Sequence, residues 1–271
     1  MENNENMNSI DNRPIGFFDS GVGGLTVLDK FKKVLPEENF LYFGDTKHMP
    51  YGEKSEEELI NFADKIFKFF ETKNVKAVVM ACNTTSAVTY EKLKNQYNFK
   101  IYPIIQSVAK ILASENYSRI GILATPATIN SHVYKKEIAK YNPNMEVVEM
   151  ACPEWVKIVE EGREKDEESE KFISSRLAKM LWWGPEKIVL GCTHYPYLLQ
   201  NLSKYTERNR FIDPSIHFAQ YIKDDLTKCG KLSSGNKGTE EFFVSSSPEN
   251  FVNAGKMFYN IKTSPELINL D

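Results

Sequence analysis

Ala77-Val78-Val79-Met80-Ala81-Cys82-Asn83-Thr84-Thr85 and its partner Ile188-Val189-Leu190-Gly191-Cys192-Thr193-His194-Tyr195-Pro196 decide how this chain is read. In each, an apolar run ends in a small residue, then a cysteine, then side chains rich in hydrogen-bond donors. Unbroken apolar runs of this length fit strands of a parallel sheet covered on both faces. The pattern places a thiol at the carboxyl edge of such a strand, just before a helix N-terminus. Amide N–H groups and the helix dipole there favour thiolates and bound anions. One such thiol points to a nucleophile. Two, in similar halves, point to a site with a thiol on each side of a small substrate.

Outward from these stretches, apolar strand-like runs alternate with amphipathic helical ones. Strands are expected over 14–18, 39–43, 75–81, 100–102, 119–124, 145–149, 187–190, 210–212 and 241–244. Helix starts are readable between them. Ser55 with Glu58 makes a capping box ahead of Leu59, Phe62, Ile66, Phe69 and Phe70. Thr125-Pro126, Asp213-Pro214 and Ser247-Pro248 each set a capping side chain before a proline at the first helical position. This alternation predicts the α/β class, with parallel sheets flanked by helices and ligands outside the carboxyl ends of the strands.

The halves repeat weakly. Pro14-Ile15-Gly16-Phe17-Phe18-Asp19-Ser20-Gly21 opens the first, and Arg119-Ile120-Gly121-Ile122-Leu123-Ala124-Thr125-Pro126 opens the second. Each cysteine follows its opening strand by nearly the same interval. Two pseudo-symmetric lobes are therefore expected, with strand ends facing each other across one cleft that holds the active site. Residues 14–102 plus 213–271 form the first lobe, with Cys82, and residues 103–212 the second, with Cys192. Residues 1–13 read as a disordered tail and 231–238 as a flexible loop.

Composition sets the outer bounds. The chain has 271 residues, 41% hydrophobic and 26% charged, as in an ordinary soluble protein. A net charge of −3 argues against a nucleic-acid partner. No run of about 18 apolar residues is present, so no membrane span is expected, and the polar start is no secretory signal. Four cysteines without close pairing or zinc-like spacing fit a reduced cytoplasmic enzyme with no metal.

Other residues suit chemistry less exclusively. Asp19-Ser20-Gly21-Val22-Gly23-Gly24 is a Gly-rich strand-to-helix turn, able to offer N–H groups to an anion or simply to turn tightly. It is neither a dinucleotide fingerprint nor a P-loop. The loop Gly44-Asp45-Thr46-Lys47-His48-Met49-Pro50-Tyr51-Gly52 suits a binding surface, with His48 read as a solvated side chain. Asn83, Thr84 and Thr85 can cap the next helix and still donate to a carboxylate. His194, two residues from Cys192, is placed to act as a base beside it. Cys152, Cys229, Trp182 and Trp183 read as structural.

Two chemistries fit twin thiols of this kind unequally. A Cys-His hydrolase needs one thiol, one base and an oxyanion hole, and leaves the second thiol without a role. A deprotonation–reprotonation reaction uses both: one thiolate removes a proton from a carbon acid and the opposite thiol returns one to the other face.

These residues carry a resemblance. The chain resembles the glutamate racemases, cofactor-independent bacterial enzymes of the aspartate/glutamate racemase superfamily. The likeness rests on 15–28, on Gly44-Asp45-Thr46 with Pro50-Tyr51-Gly52, on Ala81-Cys82-Asn83-Thr84 and on Gly191-Cys192-Thr193-His194-Tyr195-Pro196. Thr125 with Tyr134, and Cys152-Pro153 leading to Glu160, add to it. The resemblance implies interconversion of L- and D-glutamate for peptidoglycan synthesis, without a cofactor, by a homodimer. It implies that Cys82 acts on the D-enantiomer and Cys192 on the L-enantiomer. Asp19 would poise Cys82, and His194 with Glu160 would poise Cys192. Asp19, Ser20, Tyr51, Gly52, Asn83, Thr84, Thr193 and His194 match substrate-contacting positions. Glu154 and Lys157 replace an apolar residue and a proline usual in the family, and Lys47-His48 replaces the usual Ala-Arg. Racemisation of aspartate or another amino acid, thiol hydrolysis, and amino-acid binding without turnover are the alternatives.

Overall fold

The structure, a computed structural model, describes residues 10–270 except 236. Strand β1 (Ile15–Asp19) leads to α1 (Leu25–Val34), β2 (Phe40–Gly44), α2 (Glu56–Thr72), β3 (Ala77–Met80), α3 (Asn83–Leu93), β4 (Lys100–Pro103) and α4 (Ile104–Ser114). Then come β5 (Arg119–Ala124), α5 (Pro126–Ser131), α6 (Val133–Ala139), β6 (Glu146–Ala151), α7 (Glu154–Glu160), α8 (Glu167–Trp182) and β7 (Lys187–Gly191). The chain finishes with α9 (Leu199–Leu202), β8 (Phe211–Ile212), α10 (Pro214–Lys228), β9 (Glu240–Val244), α11 (Pro248–Gly255) and β10 (Glu266–Leu267).

The strands make two sheets, ordered β10-β9-β2-β1-β3-β4 and β6-β5-β7-β8. Every pairing among the described residues is parallel. The runs β2-β1-β3-β4 and β6-β5-β7-β8 have the same topology, with β1 matching β5 and β3 matching β7. Ile15 pairs with Ala77, and its counterpart Ile120 with Lys187. Each cysteine lies five residues beyond that partner. The internal repeat is thus real at the level of register: both thiols leave their sheets at the same place.

Alternation of side chains explains the layers. Along β1, Phe17 faces one apolar cluster and Phe18 the other, while β3 sends Val79 to the first and Val78 and Met80 to the second. The first cluster also holds Ile120, Ile122, Leu123, Ile188 and Leu190, so it runs without a break from one sheet to the other. Helices α4 and α10 pack on each other, and α10 also packs on α1. That shared apolar layer fixes one lobe against the other.

Local expectations fared unevenly. The Ser55–Glu58 capping box is fully formed, Thr125 caps α5 and Asp213 caps α10. Ser247 does not cap: its backbone is left-handed (φ 43°) and its side chain makes no capping bond. Of the expected tail, residues 1–9 lie outside the described residues. Residues 10–13 are tied down instead, because the buried Lys76 ammonium donates to the Asp11 carbonyl at 2.7 Å. The expected loop 231–238 is likewise pinned at Ser233, which donates from N–H and hydroxyl to buried Glu38, both at 2.8 Å, while residue 236 lies outside the described residues. Trp182 is 82% exposed rather than packed, and Cys229 is exposed at the end of α10, whereas Cys152 is buried.

Candidate active site

The loops after β1, β2, β3, β5, β6 and β7 converge, with α7, at the carboxyl ends of both sheets and enclose a cavity of about 40 Å³. Cys82 and Cys192 both line it, one from each sheet. Around them stand Ser20, Tyr51, Gly52, Asn83, Thr84, Glu160, Thr193 and His194, all read from the sequence as site residues. Asp19 is not on the cavity wall. It is fully buried, and its carboxylate accepts from the Gly21 N–H at 3.0 Å and the Thr193 hydroxyl at 3.4 Å.

Each thiol has its own electrostatic setting. Cys82 is the N-cap of α3, so the N–H groups of the first turn open towards the cavity side of the strand end. Burial and the neighbouring Asp19 carboxylate nevertheless push its thiol up to about 11, against the pull of hydrogen bonds from Thr85. Cys82 is therefore held as the protonated thiol at neutral pH. The helix expected directly after Cys192 is only a short 3-10 turn, Tyr195–Leu198, followed by one turn of α9. An imidazole stands in for the missing helix end. His194 Nδ1 lies 3.8 Å from Cys192 Sγ, and Nε2–H donates to Glu160 Oε1 at 3.0 Å. Burial alone would strip the charge from His194, but Cys192 and Glu160 outweigh it and push its pKa up to about 10. That puts a positive charge beside the Cys192 sulfur.

Two glycines make this closeness possible. A Cβ at Gly23 would collide with the Thr193 hydroxyl and the His194 ring, and one at Gly24 with the Asp19 side chain and Tyr42 hydroxyl. Neither has a positive φ, so the Gly-rich turn exists here for close approach, of the other lobe at Gly23 and of Asp19 and Tyr42 at Gly24, rather than for a left-handed bend.

Hydrogen bonds across the cleft repeat the symmetry. Thr26 donates to the Thr193 carbonyl at 3.1 Å, linking the first turn of α1 to the β7 loop. In the other half, Thr125 and Thr84 share a hydroxyl hydrogen bond at 2.8 Å, linking the β5 loop to the first turn of α3. Tyr134 donates to Asn83 Oδ1 at 2.7 Å, which leaves the buried Asn83 Nδ2 without a partner and lining the cavity. An unmet buried donor costs about 1–3 kcal/mol and is relieved by an arriving acceptor such as a carboxylate. Sequence reading did not place Thr125, Glu53, Pro153 or Val156 on the wall. The repeat held the signal for Thr125, because it occupies the position of Ser20 in the second half.

His48 corrects a sequence expectation. Its side chain is not freely solvated: Nδ1–H donates to Asp45 at 2.8 Å, and the ring stacks on Phe62 with centroids 4.0 Å apart. Glu154 accepts from Arg176 at 3.3 Å, and Lys157 pairs with Glu161 at 3.7 Å on the outer face of α7.

The sequence profile of the Asp/Glu/Hydantoin racemase family matches residues 24–221 of this chain. The chain belongs to that family. The curated glutamate racemase of Thermoanaerobacter pseudethanolicus is 40% identical over 255 residues, covering 93% of this chain and 96% of that protein. Among solved structures, a glutamate racemase of Francisella tularensis in complex with D-glutamate superposes with a TM-score of 0.89 at 33% identity, covering 97% of this chain and 99% of that one. A glutamate racemase isoform of Bacillus anthracis gives 0.91 at 28% identity, covering 96% and 98%. As in the family, the fold is α/β with two parallel sheets facing one cleft.

Proposed function

We infer that this racemase interconverts L- and D-glutamate by two-base proton transfer between Cys82 and Cys192. The observation that carries the reading is that two thiols, from topologically equivalent strand ends, line one cavity, Cys82 beside a buried carboxylate and Cys192 beside an imidazole. In the reading, Cys192 thiolate takes the α-proton of L-glutamate, and the electron pair it leaves spreads onto the α-carboxylate. Cys82 thiol then gives its proton to the opposite face of the carbon, yielding D-glutamate, a thiolate at Cys82 and a thiol at Cys192. The reverse reaction runs from that second state. No cofactor takes part, because each proton has a sulfur to hold it.

The other residues take supporting parts. The N–H groups at the start of α3 and Asn83 Nδ2 receive the substrate carboxylate and stabilise the charge that develops on it. Ser20, Tyr51, Gly52, Thr84 and Thr193 complete the binding surface. In the reading, His194 with Glu160 poises Cys192, and Asp19 favours the proton on Cys82. With His194 charged and Cys82 protonated at neutral pH, the unliganded site is set for the L-enantiomer. The named relatives compared above are glutamate racemases, which favours glutamate over aspartate. A hydrolase would leave one of the two equivalent thiols without a part.

The reading extends to a cytoplasmic homodimer that supplies D-glutamate for peptidoglycan synthesis, with the lobes divided near 102/103 and 212/213. Its four cysteines are free, and no helix among the described residues is long and apolar enough to cross a membrane. Proton NMR of L-glutamate with the protein in D₂O tests the chemistry. Loss of the α-proton signal with growth of the D form is expected, and both Cys82→Ser and Cys192→Ser should lower racemisation by about 10²–10⁴-fold. Full activity in either variant, or exchange of aspartate but not glutamate, would overturn the assignment.

A further inference from the structure

We propose that His48 is a positioning residue for the substrate-binding wall, acting through Asp45 on Tyr51. This rests on the glutamate reading above. His48 does not line the cavity; Tyr51 and Gly52 do. Between them sits Asp45, whose side chain is 3% exposed. Its carboxylate accepts a short hydrogen bond from the Tyr51 hydroxyl, one from Ser245 at 2.6 Å, and the bifurcated donation of His48 Nδ1–H at 2.8 and 2.9 Å.

A carboxylate this buried is tolerable only with strong donors around it. His48 supplies one that is itself immobilised, since its ring lies flat on Phe62 of α2 with an interplanar angle of 15°. Phe62 also leans on the Tyr51 ring at 5.8 Å. The line from α2 through His48 and Asp45 to Tyr51 therefore fixes the angle of a ring that faces the substrate. It also fixes the turn Tyr51–Glu53, whose Gly52 approaches Thr125 of the other lobe so closely that a Cβ would sit 3.1 Å from it. Such a wall contacts the bound amino acid before and during proton transfer alike. Loosening it weakens ground state and transition state equally, which raises KM and spares kcat.

Three His48 variants and a Tyr51→Phe background test this by racemisation kinetics, each checked for wild-type-like thermal unfolding. His48→Phe keeps the stack on Phe62 and deletes the donor; it should raise KM for glutamate about 5- to 20-fold, less than the full worth of a charge-assisted hydrogen bond because the contact reaches the substrate only through Tyr51, with kcat within about twofold. His48→Ala should do the same, and if it fails to fold, His48→Phe carries the test. His48→Asn puts an amide N–H where Nδ1–H was and should return KM to within about threefold of wild type. In a Tyr51→Phe background, His48→Phe should add nothing. Wild-type KM in His48→Phe, a loss confined to kcat, failure of His48→Asn to rescue, or additive losses with Tyr51→Phe would each overturn the proposal. A wild-type protein that does not racemise glutamate would instead overturn the reading it rests on.

Discussion

Replacing Glu160 by glutamine tests the charge arrangement around Cys192 by its dependence on pH. His194 is 3% exposed and Glu160 24%, so their contact at 3.0 Å is poorly screened. With burial opposing it, Cys192 and Glu160 still push His194 from 6.5 up to about 10. A raised folded-state pKa means the native protein holds the proton more tightly than the unfolded chain does. That stabilisation is complete below pH 6.5 and is lost as pH rises through about 10. Removing one adjacent negative charge lowers such a pKa by about one to three pH units. At about 1.4 kcal/mol per unit, Glu160→Gln should cost about 1.5–4 kcal/mol at pH 6. Near pH 10 wild type has itself lost about half of the proton, so the two proteins should differ by less than about 0.5 kcal/mol. Urea unfolding of both at pH 6, 8 and 10 reads this directly, since a midpoint shift at constant slope is a stability change. A penalty that is constant across the range, or that grows with pH, would refute the account and with it the imidazolium assigned beside Cys192.

Two further outcomes are expected. Gly23→Ala would drive a methyl group into the Thr193 hydroxyl and His194 ring, so it should cost about 1–3 kcal/mol in unfolding and lower kcat; wild-type kinetics would show that the loops do not need this closeness. Lys76 and Glu38, 2.6 Å apart and 0% and 2% exposed, lie at the opposite end of β3 from Cys82. Lys76→Met should cost about 3–5 kcal/mol by stranding the carboxylate, while the double change with Glu38→Leu recovers most of it; urea unfolding distinguishes the two, and KM for glutamate should not move.

The frame of the fold was legible because its cause is local. Nine apolar runs were expected as strands, and strands form at all nine, from β1 to β9. Runs such as 77–80 and 187–191 can be satisfied only as buried strands, and the caps at Ser55, Thr125 and Asp213 depend on the next few residues alone. Only β10, a pair of exposed residues with no apolar pattern, went unread. Ser247 failed as a cap although the dipeptide Ser-Pro was present, because the loop after β9 arrives with Ser246 N–H bonded to Thr46 and the backbone turned left-handed.

The site divides along the same line. Cys82, Asn83, Thr84, Cys192, Thr193 and His194 could be found in the sequence because a strand end and its following loop bring them to the cavity by continuity. Residues whose role depends on a distant partner could not. His48 looked solvated until Phe62 covered its ring and Asp45 took its N–H. Asp45 itself answers to Ser245, two hundred positions away. The chain's pattern of apolar runs and punctuating cysteines determined the sheet class, the repeat and the two thiols, since hydrophobic periodicity and strand-end chemistry act over a few residues. Packing of one sheet against the other decided which thiol keeps its proton, which histidine holds a charge and why Gly23 must lack a side chain, because burial and Coulomb interactions are set by distances through space that residue order does not contain.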